Sequence, residues 1–147
     1  MQITIRPARV TDVKAIFHVR TSVNENVLSV PQLAELGITE AAIIQMLQTS
    51  PCCWVACDVD CVVGFSLIDM DAAALFAAFV LPSHEGCGVG RRIVQCAEDA
   101  LFRRHDVIWL ETAKSSRAAG FYRHLGWAAT ENVGLDDVRM EKRNPLR

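Results

Sequence analysis

A glycine-rich turn, placed between a charge-free apolar run and a helical pattern, constrains this chain more than any other stretch. The run covers residues 72–81, and the turn after it contains Gly86, Gly88 and Gly90. Because glycine has no Cβ atom, several main-chain N–H groups can converge there at the positive end of the following helix. The pattern therefore predicts a strand, then an anion site that suits a phosphate, then a helix.

Two common phosphate motifs do not match this turn. A dinucleotide fingerprint, Gly-x-Gly-x-x-Gly, counted from Gly86 would need a third glycine where the chain has Arg91. A nucleotide-triphosphate loop needs Gly-Lys-Ser or Gly-Lys-Thr, and neither sequence occurs in the chain. The turn on its own therefore predicts a phosphate ligand but not which one.

The chain has 147 residues, a formal net charge of −2 and 51% hydrophobic residues, which predicts one domain over residues 1–147 with a sizeable core. Basic residues are scattered, so we expect no nucleic-acid partner and no polybasic contact with a membrane. The N-terminal residues lack the apolar core of a signal peptide, and no stretch is long enough to span a membrane. We expect a cytoplasmic protein that acts on a small molecule or a peptide.

Six cysteines, at positions 52, 53, 57, 61, 87 and 96, are expected to be reduced in such a compartment. The first four lie close together and raise zinc binding as an alternative. They lack the paired Cys-x-x-Cys of structural zinc sites, however, and the residues between them alternate as in a strand. Ordinary strand packing is the favoured interpretation, and we expect no metal.

Patterns of apolar residues predict the other elements. Alternation or short apolar runs predict strands over residues 2–8, 53–57, 61–69, 72–81, 107–112, 127–133 and 138–142. Helical spacing predicts a helix capped by Thr11, a second that begins near Thr39, a third from the glycine turn to about 104–105, and a fourth over 117–125. The strands on either side of the third helix are expected to be parallel, with a right-handed crossover. Gly64, inside a strand, predicts a bulge or a close approach of the main chain.

Three local motifs follow one another on these elements. Residues 80–82 read Val-Leu-Pro and are followed at 85–90 by Glu-Gly-Cys-Gly-Val-Gly, and residues 109–112 read Trp-Leu-Glu-Thr. The third motif consists of Ala118, Phe121, Tyr122, Gly126 and Trp127. In this order they resemble the GNAT acetyltransferase superfamily over nearly the whole chain. One such motif is weak evidence, whereas three at matching positions are specific.

The resemblance implies an α+β fold: a central, mixed but mostly antiparallel sheet that splays between two parallel strands and carries helices on both faces. It also implies an acetyl-CoA-dependent N-acetyltransferase. Such an enzyme transfers an acetyl group from acetyl-CoA to a primary amine of a small molecule or peptide by direct attack on the thioester. A catalytically idle, acetyl-CoA-binding regulatory module of the same fold is the alternative. A homodimer is among the assemblies that the resemblance allows.

The same resemblance assigns residues to acetyl-CoA. Main-chain N–H groups of residues 86–91 would hold its pyrophosphate, and main-chain groups of residues 78–80 would pair with its pantetheine arm like an added strand. Ser115 stands where many members have asparagine, and Glu85 stands where they have arginine or glutamine. Both departures predict weaker coenzyme binding than in a typical member. The residues assigned to the coenzyme are Ala78, Phe79, Val80, Gly86, Cys87, Gly88, Val89, Gly90, Arg91 and Ser115.

Catalytic roles also follow from the resemblance. Tyr122 would be the general acid that protonates the departing thiolate. Glu111 is the candidate base, because burial at the end of a strand raises the pKa of a carboxylate; the alternative is a carboxylate satisfied by a neighbouring N–H or by Arg117. The main-chain N–H of Phe79 or Val80 is the expected donor to the oxyanion that develops during acyl transfer.

The acceptor region is the least defined by motif. Arg20, Asn24 and Glu25 lie where the family's variable first helices cover the acceptor, so they are candidate substrate contacts, with a solvated helix end as the equal alternative. The four histidines, at positions 18, 84, 105 and 124, show no recognisable pairing with a nucleophile or an acid. We expect them to be surface residues. The identity of the acceptor amine stays open.

Overall fold

The computed structural model describes residues 1–146, which form one sheet with helices on both of its faces. The strands are β1 (Ile3–Pro7), β2 (Cys53–Asp58), β3 (Cys61–Asp69), β4 (Ala74–Val80), β5 (Val107–Ala113), β6 (Ala128–Val133) and β7 (Asp137–Arg143). The helices are α1 (Val13–Thr21), α2 (Val30–Glu35), α3 (Glu40–Thr49), α4 (Val89–Phe102) and α5 (Arg117–His124). Short 3-10 turns cover Val10–Asp12 and Pro82–His84.

The order of the strands opens a gap in the sheet. The order is β1-β2-β3-β4-β5-β7-β6, and neighbours are antiparallel except β4 with β5, which are parallel. This confirms the predicted α+β class and the parallel pair. Within the described chain, β4 and β5 share only the pairing of Ala74 with Trp109. Beyond Ala74 the two strands part, so a gap runs along the rest of β4.

A bulge in β4 lies where the gap begins. Leu67 of β3 lies opposite Ala77, whereas the next residue, Ile68, lies opposite Leu75. Phe76 is therefore the extra residue on β4, and its side chain is half exposed. A bulge changes which main-chain groups face each neighbouring strand. Before and after Phe76, different residues of β4 therefore direct their main-chain N–H and C=O groups toward the gap.

Alternating residues of β3 face two different layers of helix. Ser66 Oγ donates to Ile93 O at 2.8 Å, so Ser66 faces α4. Phe65 and Leu67 point the other way and line a cavity together with residues of α1 and α3. Helix α4 therefore covers one face of the sheet, and α1 with α3 covers the other. The stripe predicted for α4 is buried: Val89, Ile93, Ala97, Ala100 and Leu101.

Gly64 combines the two features predicted for it. The register of β2 with β3 shifts next to it, since Ala56 pairs with Gly64 and Cys57 pairs with Val62. A Cβ atom on Gly64 would also lie only 3.1 Å from Phe79 O on β4, closer than a methyl group tolerates without movement. A larger residue here would push β3 away from β4.

Helix α2 was not predicted from the sequence. Ser29 Oγ accepts from the N–H of Gln32, and the N–H of Ser29 donates to Gln32 Oε1, so the two residues form a capping box. Pro31 occupies the first turn, where a missing N–H does no harm. The completely buried side chain of Leu33 fixes this short helix to the core.

The prediction that Thr11 caps the first helix is wrong. Thr11 lies inside the 3-10 turn, and α1 begins at Val13. The carboxylate of Asp12 organises this entry instead, because it accepts two hydrogen bonds from Arg6 at 2.7 and 2.9 Å and one from the N–H of Arg9 at 2.7 Å. The predicted cap of the later helix is confirmed, since Thr39 Oγ1 accepts from the N–H of Ala42.

Candidate active site

The main chain of β4 beyond the bulge offers hydrogen-bonding groups to the gap. The N–H of Leu81 donates to Val63 O on β3 at 2.8 Å. Because strand residues alternate in direction, the main-chain groups of Phe79 also face β3, and those of Ala78 and Val80 face the gap. Of the three residues assigned to the pantetheine arm, Ala78 and Val80 thus present their main-chain groups to the gap, whereas Phe79 does not. Of the two candidate oxyanion donors, Val80 faces the gap.

The glycine turn at the end of this strand is rich in unused donors. Gly86 and Gly88 have φ angles of +74° and +82°, which favour glycine. Gly88 is also the N-cap of α4, and no side chain caps that end. The first bond to this end of the helix comes from Arg92, whose N–H donates to Gly88 O. Over residues 86–91 the N–H groups have no acceptor anywhere in the described chain, so they form a ready anion site.

Helix α5 packs directly on this turn. A Cβ atom on Gly90 would lie 3.3 Å from Phe121 Cζ, so the absence of a side chain at Gly90 permits the contact. Ser116 caps α5, since its Oγ accepts from the N–H of Ala119 at 3.1 Å. Ser115, the residue assigned to the coenzyme, lies beside it in an exposed turn. Residues of α5 are thereby held next to the start of α4.

Glu85 has a cationic partner that the sequence did not predict. Arg117 Nη1 lies 2.7 Å from Glu85 Oε2, across the space between the glycine turn and the start of α5. The N–H of Arg117 also donates to the Glu25 carboxylate, at 3.1 and 3.3 Å. Arg117 therefore pairs with Glu85 and not with Glu111. The negative charge of Glu85 is balanced before any phosphate arrives.

Tyr122 lies among aromatic rings at the centre of α5. It is 7% exposed, and its ring centroid is 5.4 Å from that of Phe121 and 5.9 Å from that of Trp127. Burial, and then the charge of Glu98, raise the pKa of Tyr122 well above its ordinary value. Its hydroxyl has no partner in residues 1–146, yet every fully buried side-chain nitrogen or oxygen there has one. The hydroxyl therefore reaches accessible space, and its raised pKa keeps it protonated at neutral pH.

Glu98, near Tyr122, is a buried acid that was not predicted as a site residue from the sequence. Its Oε2 accepts from Trp127 Nε1 at 3.0 Å, and its Oε1 lies 2.7 Å from Lys142 Nζ. The residue is 3% exposed. Its position, four residues after Val94 and three before Leu101, would have placed it on the buried stripe of α4.

Glu111 is on the opposite side of the gap, in β5. It is exposed, so the burial on which its predicted role as a base depended is absent. It lies opposite Arg139 in β7. Arg139 stacks over the ring of Trp109 at 4.4 Å and pairs with Glu141 at 3.1 Å.

The three candidate acceptor residues lie in different surroundings. Arg20 is buried, with its guanidinium 4.3 Å from the ring centroid of Phe79, and its Nη1 donates to Asn26 O at 3.0 Å. Asn24 is exposed in the loop after α1. Glu25 is used in the contact with Arg117. Only Arg20 lines a cavity with an apolar wall.

One histidine has the pairing that the sequence did not reveal. His84 Nε2 lies 2.9 Å from Asp58 Oδ2, and its Nδ1 lies 2.8 Å from Ser83 Oγ. The hydrogen bond to His84 is the largest cause that lowers the pKa of Asp58. The pair ties the end of β2 to the start of the glycine turn, which helps to fix the turn's position.

The clustered cysteines behave as strand residues. Cys52, Cys53 and Cys57 are buried and Cys61 is exposed. Burial raises the pKa of Cys53 to about 12, so its thiol stays protonated and inert. In residues 1–146 no three His, Cys, Asp or Glu side chains are grouped so that they could hold a metal ion. Across the same residues, no helix is both long enough and apolar enough to cross a membrane.

A model of the acetyltransferase (GNAT) family matches residues 15–127, more than half of the chain. The chain belongs to the GNAT family. The matched region includes the glycine turn, the gap and Tyr122. Membership confirms the resemblance drawn from the three motifs.

Similar proteins agree with this assignment. The peptidyl-lysine N-acetyltransferase YjaB of Escherichia coli (strain K12) is 34% identical over 86 residues, which are 58% of this chain and 55% of that protein. The match thus spans about half the length of this relative.

Solved structures of GNAT proteins share the fold. The PaiA N-acetyltransferase of Thermoplasma acidophilum, in complex with coenzyme A, has a TM-score of 0.81 at 17% identity, with 98% of this chain and 100% of that chain covered. The solution structure of apo YjaB from Escherichia coli has a TM-score of 0.64 at 25% identity, with 96% of each chain covered. The predicted GNAT-like fold is therefore confirmed.

Proposed function

We propose that this protein is an acetyl-CoA-dependent N-acetyltransferase that acts on a primary amine of a small molecule or a peptide. The observation that carries the proposal is the row of unpartnered N–H groups over residues 86–91, at the end of the strand that borders the gap. Membership of the GNAT family supports acetyl transfer in general. The name of the relative YjaB supports an amine as the acceptor.

The coenzyme fits what the described residues leave unused. The N–H groups of residues 86–91 would bind its pyrophosphate, as helix N-termini bind phosphates in general. Ala78 and Val80 would hydrogen-bond the pantetheine arm in the place of a neighbouring strand. The exposed side chain of Arg91 adds positive charge near the phosphates. When bound, acetyl-CoA supplies an acetyl group activated as a thioester.

We propose that three groups of the chain meet the requirements of this reaction, which are stabilisation of the oxyanion, protonation of the departing thiolate and removal of a proton from the amine. The N–H of Val80 would donate to the oxygen on which negative charge develops. Tyr122 holds its proton at neutral pH and would donate it to the departing thiolate. Glu111, exposed beside the gap, would take the amine proton through water. Because Glu111 is exposed, this role rests on its position in β5 and not on the burial predicted for it.

The proposal is tested by release of free thiol from acetyl-CoA over a panel of amines, together with calorimetric titration of acetyl-CoA alone. We expect binding in the micromolar range and thiol release with at least one class of amine. Binding without release across the panel would favour the idle regulatory module. Absence of binding at millimolar acetyl-CoA would contradict both functions.

A further inference from the structure

Arg20 is a buried cation without an acidic partner. The residue is 8% exposed, and across residues 1–146 no Asp or Glu carboxylate lies within ion-pair distance of it. Its polar contact is the hydrogen bond from Nη1 to Asn26 O. Burial lowers the pKa of Arg20, and no neighbouring acid opposes that effect. Burying a charge is unfavourable unless a counter-charge and hydrogen bonds accompany it.

The unused donors of Arg20 lie beside a cavity. A guanidinium has five N–H donors, and one nitrogen is occupied by Asn26 O. Because no fully buried side-chain nitrogen of the described chain lacks a partner, the other guanidinium nitrogens reach accessible space. Arg20 lines a cavity of about 40 Å³ between α1, α3 and the sheet. These nitrogens are therefore available to a ligand whose apolar part occupies the cavity.

The rest of the cavity is apolar. Its walls include aliphatic and aromatic side chains from both layers, namely Ile16, Phe17, Phe65, Leu67, Phe76 and Ala77. Phe76 is the bulge residue of β4 and is half exposed, so it stands where the cavity meets the surface. A ligand that suits this site combines an apolar body with one anionic group, because a single cation faces an apolar wall.

The cavity also lies near the strand segment that borders the gap. Arg20 stacks on the ring of Phe79 at 4.3 Å. The residues on either side of Phe79 are Ala78 and Val80, whose main-chain groups face the gap. An anionic group on Arg20 therefore lies about one side chain away from the strand segment at which acyl transfer is proposed.

We propose that Arg20 binds the carboxylate of the acceptor, and that the acceptor is a free amino acid with an apolar side chain. The inference rests on the proposed acetyltransferase function and narrows its substrate class. Guanidinium and carboxylate form short, paired hydrogen bonds that are stronger than neutral ones. The apolar side chain fills the cavity, and the α-amine, one carbon from the carboxylate, faces the gap.

The reaction balances without a further reagent. The amine nitrogen forms the amide bond to the acetyl carbon as the bond from that carbon to sulfur breaks. The sulfur leaves with the bonding electrons and takes a proton from Tyr122. The proton that the amine loses passes through water to Glu111 and then, through solvent, restores the proton of the tyrosine. The products are an N-acetyl amino acid and coenzyme A. In these products the carboxylate is unchanged, so it serves recognition only.

The test compares each free amino acid with its own C-terminal amide as the acceptor. Leucine is paired with leucinamide, phenylalanine with phenylalaninamide, and Nα-acetyl-lysine amide stands in for a lysine within a peptide. We expect wild-type kcat/KM to favour the free acid about 10- to 100-fold. Arg20→Gln should remove that preference, so that the ratio of kcat/KM for the acid to kcat/KM for its amide falls to about one. The ratio between the two proteins cancels the difference in amine pKa between an amino acid and its amide.

Arg20→Lys is a second variant that keeps the test usable if Arg20→Gln does not fold. Thermal unfolding shows whether each variant is folded. Arg20→Lys keeps the charge but loses the paired geometry and the stacking on Phe79, so we expect part of the preference to survive. Calorimetric binding of leucine and leucinamide to the protein saturated with coenzyme A gives a readout that does not depend on turnover. Tighter binding of leucine, lost in Arg20→Gln, supports the proposal.

The outcomes separate this inference from the function on which it rests. Equal use or equal binding of acid and amide, or a clear preference for Nα-acetyl-lysine amide, would overturn the role of Arg20 and leave the acetyltransferase function intact. Failure to bind coenzyme A at all would overturn the function itself. A free-acid preference that Arg20→Gln retains would also overturn the role of Arg20.

Discussion

At the scale of single residues, the proposed chemistry requires that Tyr122 keeps its proton at neutral pH. Its ring lies between Phe121 and Trp127, and Trp127 bonds the buried Glu98. Burial and the nearby carboxylate raise the pKa of the phenol, while Lys142 balances the charge of Glu98. A phenol in this setting donates a hydrogen bond and does not ionise at neutral pH. It therefore suits the role of an acid toward a thiolate.

Tyr122→Phe removes that donor without changing the packing of the ring. We expect kcat to fall about 100-fold, because general acid catalysis contributes at least that much, with little change in coenzyme affinity. Thiol release gives kcat, and calorimetry with coenzyme A gives the affinity. An unchanged kcat would remove Tyr122 from the mechanism, and an equal loss of affinity would mean that the hydroxyl serves binding instead.

Gly88→Ala tests the glycine turn at one position. Its φ of +82° strains any residue with a Cβ atom, so the N–H groups of the turn should lose their alignment and coenzyme affinity should fall about tenfold. Gly134→Ala is the matched control, since Gly134 has a φ of +62° and open space around it, in the turn between β6 and β7. Both variants should lose about 1–2 kcal/mol of stability. Equal coenzyme affinity in the two variants would argue against the turn as the phosphate site.

At the scale of elements, the ion pair of Arg6 with Asp12 joins β1 to the turn that leads into α1. The hydrogen bond from Arg6 is the main cause that lowers the pKa of Asp12 in the folded protein. The stabilisation it gives is therefore present above the ordinary pKa of an aspartate and is lost as the pH falls through the lower, folded-state value.

Asp12→Asn should therefore reduce the free energy of unfolding by about 1–3 kcal/mol at neutral pH, because Arg6 loses its partner. The loss should shrink as the medium becomes acidic. Urea unfolding at a series of pH values measures both effects. Asp71→Asn, in an exposed turn, is the control and should change neither. A penalty for Asp12→Asn that persists undiminished at low pH would contradict this account.

Glu85 and Arg117 connect the glycine turn to α5, and their pairing bears on the coenzyme. Glu85→Gln removes a like charge from beside the phosphates and frees Arg117 to face them. We expect coenzyme affinity to rise about two- to fivefold at low salt, in keeping with the small energy of an exposed pair, and the gain to fade at high salt. Asp99→Asn makes the same change of charge on the outer surface of α4. A similar gain in that variant would show a general charge effect.

Local patterns allowed most elements to be predicted, and the misses have local causes too. Helix α4 was predicted because its apolar stripe and its glycine turn are continuous in sequence. Helix α2 was missed because it has only six residues, although the capping box of Ser29 with Gln32 was visible. Thr11 was taken for a cap because nothing in the sequence shows that Arg6 and Arg9 both bond Asp12.

For the site, the sequence allowed features formed by consecutive residues to be predicted, but not contacts between residues that are far apart in the chain. The anion-binding turn was predictable, because its donors belong to consecutive residues. The partner of Glu85 was not, since Arg117 is 32 positions away. The direction of the main-chain groups of Phe79 could not be predicted either, because it depends on the bulge at Phe76 and on the register of β4 with β3.

At the scale of the whole molecule, the proposed function depends on a sheet whose strands β4 and β5 pair at one end and separate at the other. β4 and β5 meet at Ala74 and Trp109 and then part. Strand β4 borders the gap with the main-chain groups of Ala78 and Val80. The main-chain N–H groups of residues 86–91 lie at the end of this strand. We propose that the coenzyme occupies this opening as an additional strand with its phosphates on the turn.

The most direct measurement is a titration of the ¹⁵N-labelled protein with coenzyme A, followed by the backbone amide signals in NMR spectra. We expect large chemical-shift changes for the amide signals of residues 86–91 and of Ala78 and Val80. The amide of Phe79, which faces β3, should shift much less. If the signals of the turn and of Ala78 and Val80 stay in place at millimolar coenzyme A, or if the shifts concentrate elsewhere on the protein, the claim is contradicted.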